Sequence, residues 1–254
     1  MTGRVRVGRA GAIARVELSH PGKLNAMSRA MWRELREAFT GLHADAACRC
    51  IVIAGEGGAF CAGGDISEYP EFRFDEGSLA AFHENDVWGA LRALLDCDVP
   101  VVAQIEGACM GAGLEIASCC DIRIAGESAQ FGAPIAKLGL PMAPREAAVV
   151  VHAVGDATAR EMLLAAAVLP AAEMRQRGFL QRVVADGQVQ AAAAGAAERI
   201  AALAPQAARL NKRQLRALSL QAAGLDVTGA YRFAASAEHR EGIEAFLDKR
   251  QPRF

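Results

Sequence analysis

The sequence lacks several patterns that identify particular classes of protein. Its seven cysteines include no C-x-x-C pair, which argues against a zinc site or a disulfide framework and favours small, reduced, buried side chains. No apolar run approaches the roughly 20 residues that a membrane span needs. Arginines interrupt the apolar positions of residues 1–19, so no signal peptide is predicted. We therefore expect a cytoplasmic protein without a membrane partner.

The sequence also lacks a large net charge and nucleotide-binding motifs. The formal net charge is -1, so bulk electrostatics do not favour nucleic acid as a partner. The glycine-rich loops match neither G-x-x-x-x-G-K-[ST] nor a correctly placed G-x-G-x-x-G, which argues against P-loop and Rossmann sites. The five histidines have no spacing suited to a metal, and we predict no metal ligand.

What the chain does contain is a glycine-rich stretch from Asp98 to Ala125, DVPVVAQIEGACMGAGLEIASCCDIRIA. It predicts a strand, a turn, a short helix beginning at Leu114 and a second strand. The first N–H groups of such a helix have no intrahelical partner, and the glycines and Ala112 let a ligand oxygen approach them, as in an oxyanion hole. Glu115 is then a candidate base for removing a proton beside a thioester carbonyl. The alternative is a carboxylate held by local amides without any chemistry.

The remaining pattern predicts an α/β architecture. The predicted early elements are a hairpin, a helix capped by Ser28 and a short strand: Arg4–Val7 and Ala12–Leu18, then 29–43, then Ile51–Ile53. A second glycine cluster, GEGGAFCAGGDI, follows that strand directly, where α/β proteins place ligand loops. The aromatic segment from Ser67 to Phe82 is expected to lie outside the core as a mobile flap and to line a pocket. After Leu140 the chain is predicted to be mainly helical, and its last predicted helices run up to about Ala222 and over 226–237.

Three motifs carry a resemblance to a known family. FCAGGDI (Phe60–Ile66), GACMGAGLEIASCCDIRIA (Gly107–Ala125) and AQFGAPIAKLGL (Ala129–Leu140) closely resemble the enoyl-CoA hydratase/isomerase family, the crotonase superfamily. PGKLNAMS near the start and REGIEAFLDKRQPRF at the end extend the similarity over essentially the whole chain.

The resemblance implies a fold, a ligand and an assembly. The fold is a crotonase-like α/β spiral of ββα units over residues 1–198, with a helical oligomerisation region over residues 199–254. The subunits would form a homotrimer or a hexamer built as a dimer of trimers. The ligand is an acyl-CoA thioester, so coenzyme A enters as part of the substrate and no separate cofactor is expected.

The resemblance also assigns the catalytic positions. The two oxyanion-hole amides match the N–H groups of Gly64 and Ala112, and the first catalytic glutamate matches Glu115. Ile135 occupies the position of the second catalytic glutamate. Because isoleucine can neither activate water nor deliver a proton, the departure favours a single-base reaction such as double-bond isomerisation over hydration. Thioester hydrolysis, decarboxylation, carbon–carbon cleavage and acyl-CoA binding without catalysis remain as alternatives.

Further positions are implied for coenzyme A. The adenine would be held by backbone near Ala62, and the phosphates by Lys23 and Lys249, whereas a lysine of the family is replaced by Ser67. The other binding positions implied lie in the two glycine turns and beside the second-glutamate position: Gly63, Asp65, Ile66, Gly111 and Ile135.

Two more side chains have competing interpretations. Glu146 could reach the space beside Ile135 as a second carboxylate. The favoured interpretation places it on a surface helix, where Pro144 fits the first position and an acidic side chain complements the dipole of the first turn. Cys61 has no histidine nearby in sequence to activate it, so we do not predict a nucleophile there.

Overall fold

The structure, a computed structural model, describes residues 2–219, 228 and 231–251. Within these residues the chain forms nine strands and ten α-helices. The strands are β1 (Arg4–Ala10), β2 (Ile13–Ser19), β3 (Cys50–Gly55), β4 (Val101–Ile105), β5 (Ala108–Met110), β6 (Ile122–Gly126), β7 (Gln130–Gly132), β8 (Val168–Pro170) and β9 (Arg182–Val184). The helices are α1 (Arg29–Ala44), α2 (Glu76–Ala81), α3 (Trp88–Asp96), α4 (Ala112–Ser118), α5 (Pro144–Val154), α6 (Asp156–Leu164), α7 (Ala171–Gln176), α8 (Val189–Ala201), α9 (Pro205–Ser219) and α10 (Ala237–Leu247).

The strands build two sheets. The larger has the order β1-β2-β3-β4-β6-β9, with β1 and β2 antiparallel and the other neighbours parallel. The smaller has the order β5-β7-β8. After β4 the chain crosses to β5, and after β6 it crosses to β7, so successive turns add one strand to each sheet. The predicted spiral of ββα units is confirmed.

The larger sheet is covered on both faces. Ile51 and Ile53 of β3 belong to the main core with the inner sides of α1 and α3. Val52 faces the opposite way and packs against the alanines of α8. Small side chains on α8 let the helix approach the strands closely. This two-sided burial explains why β3 and β4 are almost continuously apolar.

The early elements agree with the sequence. β1 and β2 form the predicted hairpin, and Ser28 caps α1 because its Oγ accepts a hydrogen bond from the N–H of Met31 at 3.2 Å. Other boundaries differ. α4 begins at Ala112 rather than Leu114, and β5, β7 and β8 were not predicted because three residues are too few to show an alternating pattern.

The prediction that the segment from Ser67 to Phe82 lies outside the core is wrong. Tyr69, Phe72 and Phe82 are buried, and the rings of Phe72 and Phe82 pack with centroids 4.7 Å apart. The segment continues through α2 and a π-helical turn into α3. Its aromatic residues therefore fix it against the main core.

Basic side chains attach α9 to the spiral. Lys212 donates a hydrogen bond to the carbonyl of Val99 at 2.9 Å and pairs with Asp121 at 2.7 Å. Arg213 and Arg216 donate to the carboxylate of Asp98 at 2.7 and 2.9 Å.

Helices were also predicted up to Ala222 and over 226–237. Parts of both helices, and residues 252–254 of the terminal motif, lie outside the described residues.

The seven cysteines are all buried, as their interpretation as small apolar side chains requires, and none forms a disulfide. The described residues contain no cluster of histidine, cysteine, aspartate and glutamate that could hold a metal ion. No helix in the described ranges has both the length and the apolarity to cross a lipid bilayer.

Candidate active site

A cavity of about 310 Å³ lies between the two glycine-rich turns, the aromatic segment before α3 and the start of α5. Its lining contains eight of the residues predicted for the site: Ala62, Gly63, Gly64, Ile66, Gly111, Ala112, Glu115 and Ile135. The two glycine-rich motifs are about 50 residues apart in the sequence, yet both line this one cavity.

Backbone pairing brings the two glycine turns together. The segment before Gly64 runs parallel to β5, with the N–H of Cys61 donating to Ala108 at 2.8 Å and the N–H of Met110 donating to Cys61 at 2.9 Å. A Cβ atom at Gly113 would lie 2.5 Å from the carbonyl oxygen of Cys61, so this close approach requires glycine. The two turns are therefore held as one unit.

Each turn presents an unused backbone donor. Ala112 is the first residue of α4, where an N–H has no intrahelical acceptor. Neither its N–H nor that of Gly64 donates to any acceptor among the described residues. Gly111 precedes Ala112 with φ 46°, a conformation that favours glycine. The two amides are available to an oxygen bound in the cavity.

Glu115 lies one turn into α4 and is nearly buried, with 9% of its surface exposed. Burial raises the pKa of its carboxyl well above the ordinary value, the nearby charge of Glu146 raises it further, and Arg73 acts in the opposite direction. A carboxyl in this state is a stronger base, once ionised, than an exposed glutamate.

The surface interpretation of Glu146 is wrong. α5 does begin at Pro144, as predicted, but Glu146 is only 2% exposed and lines the cavity with Glu115. The first turn of α5 faces α4 rather than solvent. Burial raises the pKa of Glu146 to about 8, despite the lowering effect of Arg73. The cavity consequently contains two carboxyl groups, although Ile135 occupies the family's second position.

His83 orients the second carboxyl. Its Nδ1 lies 2.9 and 3.1 Å from the two carboxyl oxygens of Glu146. Burial and the charge of Arg73 lower the pKa of His83 well below its ordinary value, so the ring is neutral near pH 7. The ring of Tyr231 stacks on that of His83 with centroids 5.5 Å apart. These contacts restrain the position of the Glu146 carboxyl.

Three predicted binding residues lie outside the cavity lining. Lys23 pairs with Asp65, at 2.6 Å, and donates to the Oγ of Ser67 at 2.8 Å. Its ammonium therefore lies beside the position where the family has a lysine. Lys249 is exposed just beyond α10. Cys61 is buried, which raises its thiol pKa to about 12 and disfavours the thiolate needed by a nucleophile.

Sequence reasoning missed Arg73 and His83 as residues of the site, and it left the orientation of Tyr69 open. All three line the cavity. The available signal was a single arginine between two phenylalanines, FRF, because an arginine within an aromatic run packs its guanidinium on rings.

Comparisons with known proteins agree with this architecture. Residues 8–254 match the sequence profile of the enoyl-CoA hydratase/isomerase family. A probable enoyl-CoA hydratase of Rhizobium meliloti is 35% identical over 96% of this chain and 95% of its own. Among solved structures, an enoyl-CoA hydratase/carnithine racemase from Magnetospirillum magneticum superposes with a TM-score of 0.83 at 36% identity, over 100% of this chain and 96% of that one. A methylmalonyl-CoA decarboxylase superposes with a TM-score of 0.88 at 25% identity, covering 99% and 98% of the two chains. The chain belongs to the enoyl-CoA hydratase/isomerase family and has the crotonase fold.

Proposed function

We propose that the protein transfers protons on the acyl part of a CoA thioester and stabilises the enolate through the amides of Gly64 and Ala112. The observation that carries this proposal is the meeting of two unused amides and two buried carboxyls in one cavity. Double-bond isomerisation is the favoured reaction. It needs one base to remove a proton from one carbon and return it to another.

In the proposed step, ionised Glu115 takes a proton from the carbon that is activated by the thioester. The electron pair of the broken C–H bond moves towards the carbonyl, and the resulting oxyanion accepts hydrogen bonds from the two amides. The proton then returns from Glu115 to the other end of the dienolate, and the thioester bond remains intact. No atom is gained or lost.

Hydration is the second candidate, and Glu146 is the observation that favours it. Relatives are named enoyl-CoA hydratases, and addition of water uses one carboxylate to take a proton and one carboxylic acid to give one. Glu115 and Glu146 could divide these roles because both hold protons more tightly than exposed glutamates. Ile135 instead favours isomerisation, since this chain has no carboxyl at the position of the family's second catalytic glutamate.

The remaining candidates use the same oxyanion site. Decarboxylation also produces an enolate, and a methylmalonyl-CoA decarboxylase shares the fold. Carbon–carbon cleavage, thioester hydrolysis and binding without turnover complete the alternatives.

One experiment separates isomerisation, hydration, thioester hydrolysis and binding without turnover. The protein is incubated with 2-enoyl- and 3-enoyl-CoA in deuterated water and, separately, in water labelled with ¹⁸O, and products are analysed by mass spectrometry. Deuterium in an isomerised or recovered enoyl-CoA supports isomerisation, and a 3-hydroxyacyl-CoA carrying ¹⁸O supports hydration. Free CoA indicates hydrolysis. Saturable binding without any of these products would contradict the proposed catalysis.

We also propose an assembly and a coenzyme A site. Residues 199–254 would form the oligomerisation region of a homotrimer or a hexamer, and apolar side chains of α9 and α10, including Leu210, Phe246 and Leu247, are exposed in the single chain. Lys23 and Lys249 would bind the phosphates of coenzyme A, and backbone near Ala62 its adenine. Native mass spectrometry with and without acyl-CoA measures the assembly.

A further inference from the structure

The guanidinium of Arg73 is buried in the cavity wall and has no charge partner among the described residues. Only 5% of the residue is exposed. Its side chain forms no ion pair and no hydrogen bond with any described residue, and its Nε is fully enclosed without an acceptor. A buried cation is costly unless an anion and hydrogen-bond acceptors compensate it. The described residues supply neither an anion nor an acceptor to the side chain at this position.

Aromatic rings hold Arg73 close to the oxyanion turn. Its Cζ lies 3.9 Å from the ring centroid of Tyr69 and 5.4 Å from that of Phe82. The hydroxyl of Tyr69 touches Gly64 so closely that a Cβ atom at Gly64 would collide with it. The ring of Tyr69 therefore lies between Arg73 and the Gly64 amide, which is predicted to bind the thioester oxygen.

The carboxyl groups of the cavity do not neutralise Arg73. Its charge acts on both Glu115 and Glu146, but neither forms an ion pair with it in the structure. Both carboxyls retain raised pKa values, so they carry less negative charge at neutral pH than exposed glutamates. The guanidinium of Arg73 is therefore available to a negatively charged group of a ligand.

We propose that Arg73 binds a carboxylate at the far end of the acyl group, so that the preferred substrates are CoA thioesters of dicarboxylic acids. The proposal rests on the proposed function, because it assumes that a CoA thioester occupies the cavity. The guanidinium presents paired donors that match a carboxylate. The phosphates of coenzyme A fit this position less well: they are strongly hydrated, whereas Arg73 is enclosed and Lys137, also in the lining, is exposed.

Glutaryl-CoA and butyryl-CoA form a matched pair of ligands, since they differ by one terminal carboxylate and neither can be hydrated or isomerised. Isothermal titration of the full-length protein should show glutaryl-CoA binding about 10- to 100-fold more tightly, as expected for hydrogen bonds to a charged group. In Arg73→Met the preference should disappear while the affinity for butyryl-CoA and free CoA is kept. Arg73→Lys should retain part of it, and Lys137→Met should retain all of it.

Three results would contradict the Arg73 proposal or the function on which it rests. Equal affinity of the parent protein for both thioesters would overturn the proposal without affecting the proposed function, even if the Arg73 variants fail to fold. Equal loss of butyryl-CoA, glutaryl-CoA and free CoA binding in a folded Arg73→Met protein would place a phosphate of coenzyme A at Arg73 and also overturn it. Failure of the parent to bind either thioester would contradict the proposed function itself.

Discussion

At the scale of single residues, the two buried carboxyls are chemically distinct. Glu115 lies on α4, the helix that begins at the oxyanion amide, whereas Glu146 is oriented by His83 from another part of the chain. In the proposed mechanism, Glu115 therefore carries out the proton transfer at the activated carbon. Glu146 then supplies a second proton-holding group whose position is fixed by the ring.

Glu115→Gln should strongly reduce proton exchange at the carbon next to the thioester carbonyl while preserving thioester binding. The amide is nearly the same size as the carboxyl but cannot accept the proton, and the loss should be about 10²- to 10⁴-fold. Solvent deuterium incorporation and butyryl-CoA titration measure the two properties. Exchange at the parent's rate in a folded variant would remove Glu115 from the mechanism.

The rate of exchange in the parent should rise with pH. Burial and Glu146 raise the pKa of Glu115, so the fraction in the ionised, proton-accepting form increases over a range well above pH 4.5. Deuterium incorporation measured between pH 5 and 9 gives the apparent pKa. A rate already constant above pH 5 would show that the active base has an ordinary pKa.

Glu146 should make the folded protein less stable as pH rises. Its pKa is about 8 when folded and near 4.5 when unfolded, so between these values the unfolded chain releases a proton that the folded chain retains. The contribution of Glu146 to the free energy of unfolding is therefore greatest below pH 4.5. It falls by at most about 1.4 kcal/mol per pH unit up to pH 8.

Glu146→Gln removes this pH dependence while keeping a polar group beside His83. We expect the variant to melt at a higher temperature than the parent at pH 8.5, with a smaller difference at pH 5. Glu198→Gln, at an exposed glutamate of α8, is the matched control and should change neither value. A melting difference independent of pH would indicate that Glu146 is ionised in the folded protein.

At the scale of elements, α4 is the helix on which the proposed chemistry depends. Ala112→Pro removes the N–H of its first residue, and proline is tolerated at that position of a helix. Loss of one oxyanion donor should reduce the rate about 10²- to 10³-fold. Ala112→Ser keeps the N–H and is the control for changes of side chain. A melting curve must show that Ala112→Pro is folded, and the parent's rate in that protein would exclude the residue 112 amide as a donor.

The elements also show what sequence patterns could and could not predict. The hairpin, α1 and the buried strands were predictable because their apolar spacing and the Ser28 cap are local signals. The positions of Gly64, Ala112 and Glu115 in one cavity followed from the motifs. Glu146 was misjudged because its burial depends on how α5 packs, and no local pattern distinguishes it from a surface residue. Arg73 was missed because its burial depends on how the aromatic segment packs, although the FRF sequence was a local signal for it.

At the scale of the whole molecule, α9 is attached to the spiral through Asp98. Burial alone would raise the pKa of Asp98, but hydrogen bonds from Arg213 and Arg216 outweigh it and lower the pKa below the ordinary value. The group therefore adds stability above pH 3.8 that is lost as pH falls through its folded-state pKa.

Asp98→Asn should lower the free energy of unfolding by about 1–3 kcal/mol at pH 7, because two arginines lose a charged acceptor. The melting temperature should fall by about 2–4 °C for each kcal/mol. The difference from the parent should narrow near pH 3. Asp96→Asn, at a half-buried aspartate two residues away that pairs with the partly exposed Arg92, is the control and should have little effect. A deficit of the same size at both pH values would mean that the charge of Asp98 is not what secures α9.

The backbone pairing of the two glycine turns has a consequence for how this chain can diversify. The amides of Gly64 and Ala112 belong to turns joined by main-chain hydrogen bonds, which depend little on side-chain identity. Tyr69, Arg73 and His83 lie instead on the segment between residues 66 and 87, which contributes neither amide. Under the proposed function, substitutions in that segment would change which acyl groups are accepted without moving the two backbone amides. The proposed selectivity and the proposed oxyanion site are thus carried by separate parts of the chain.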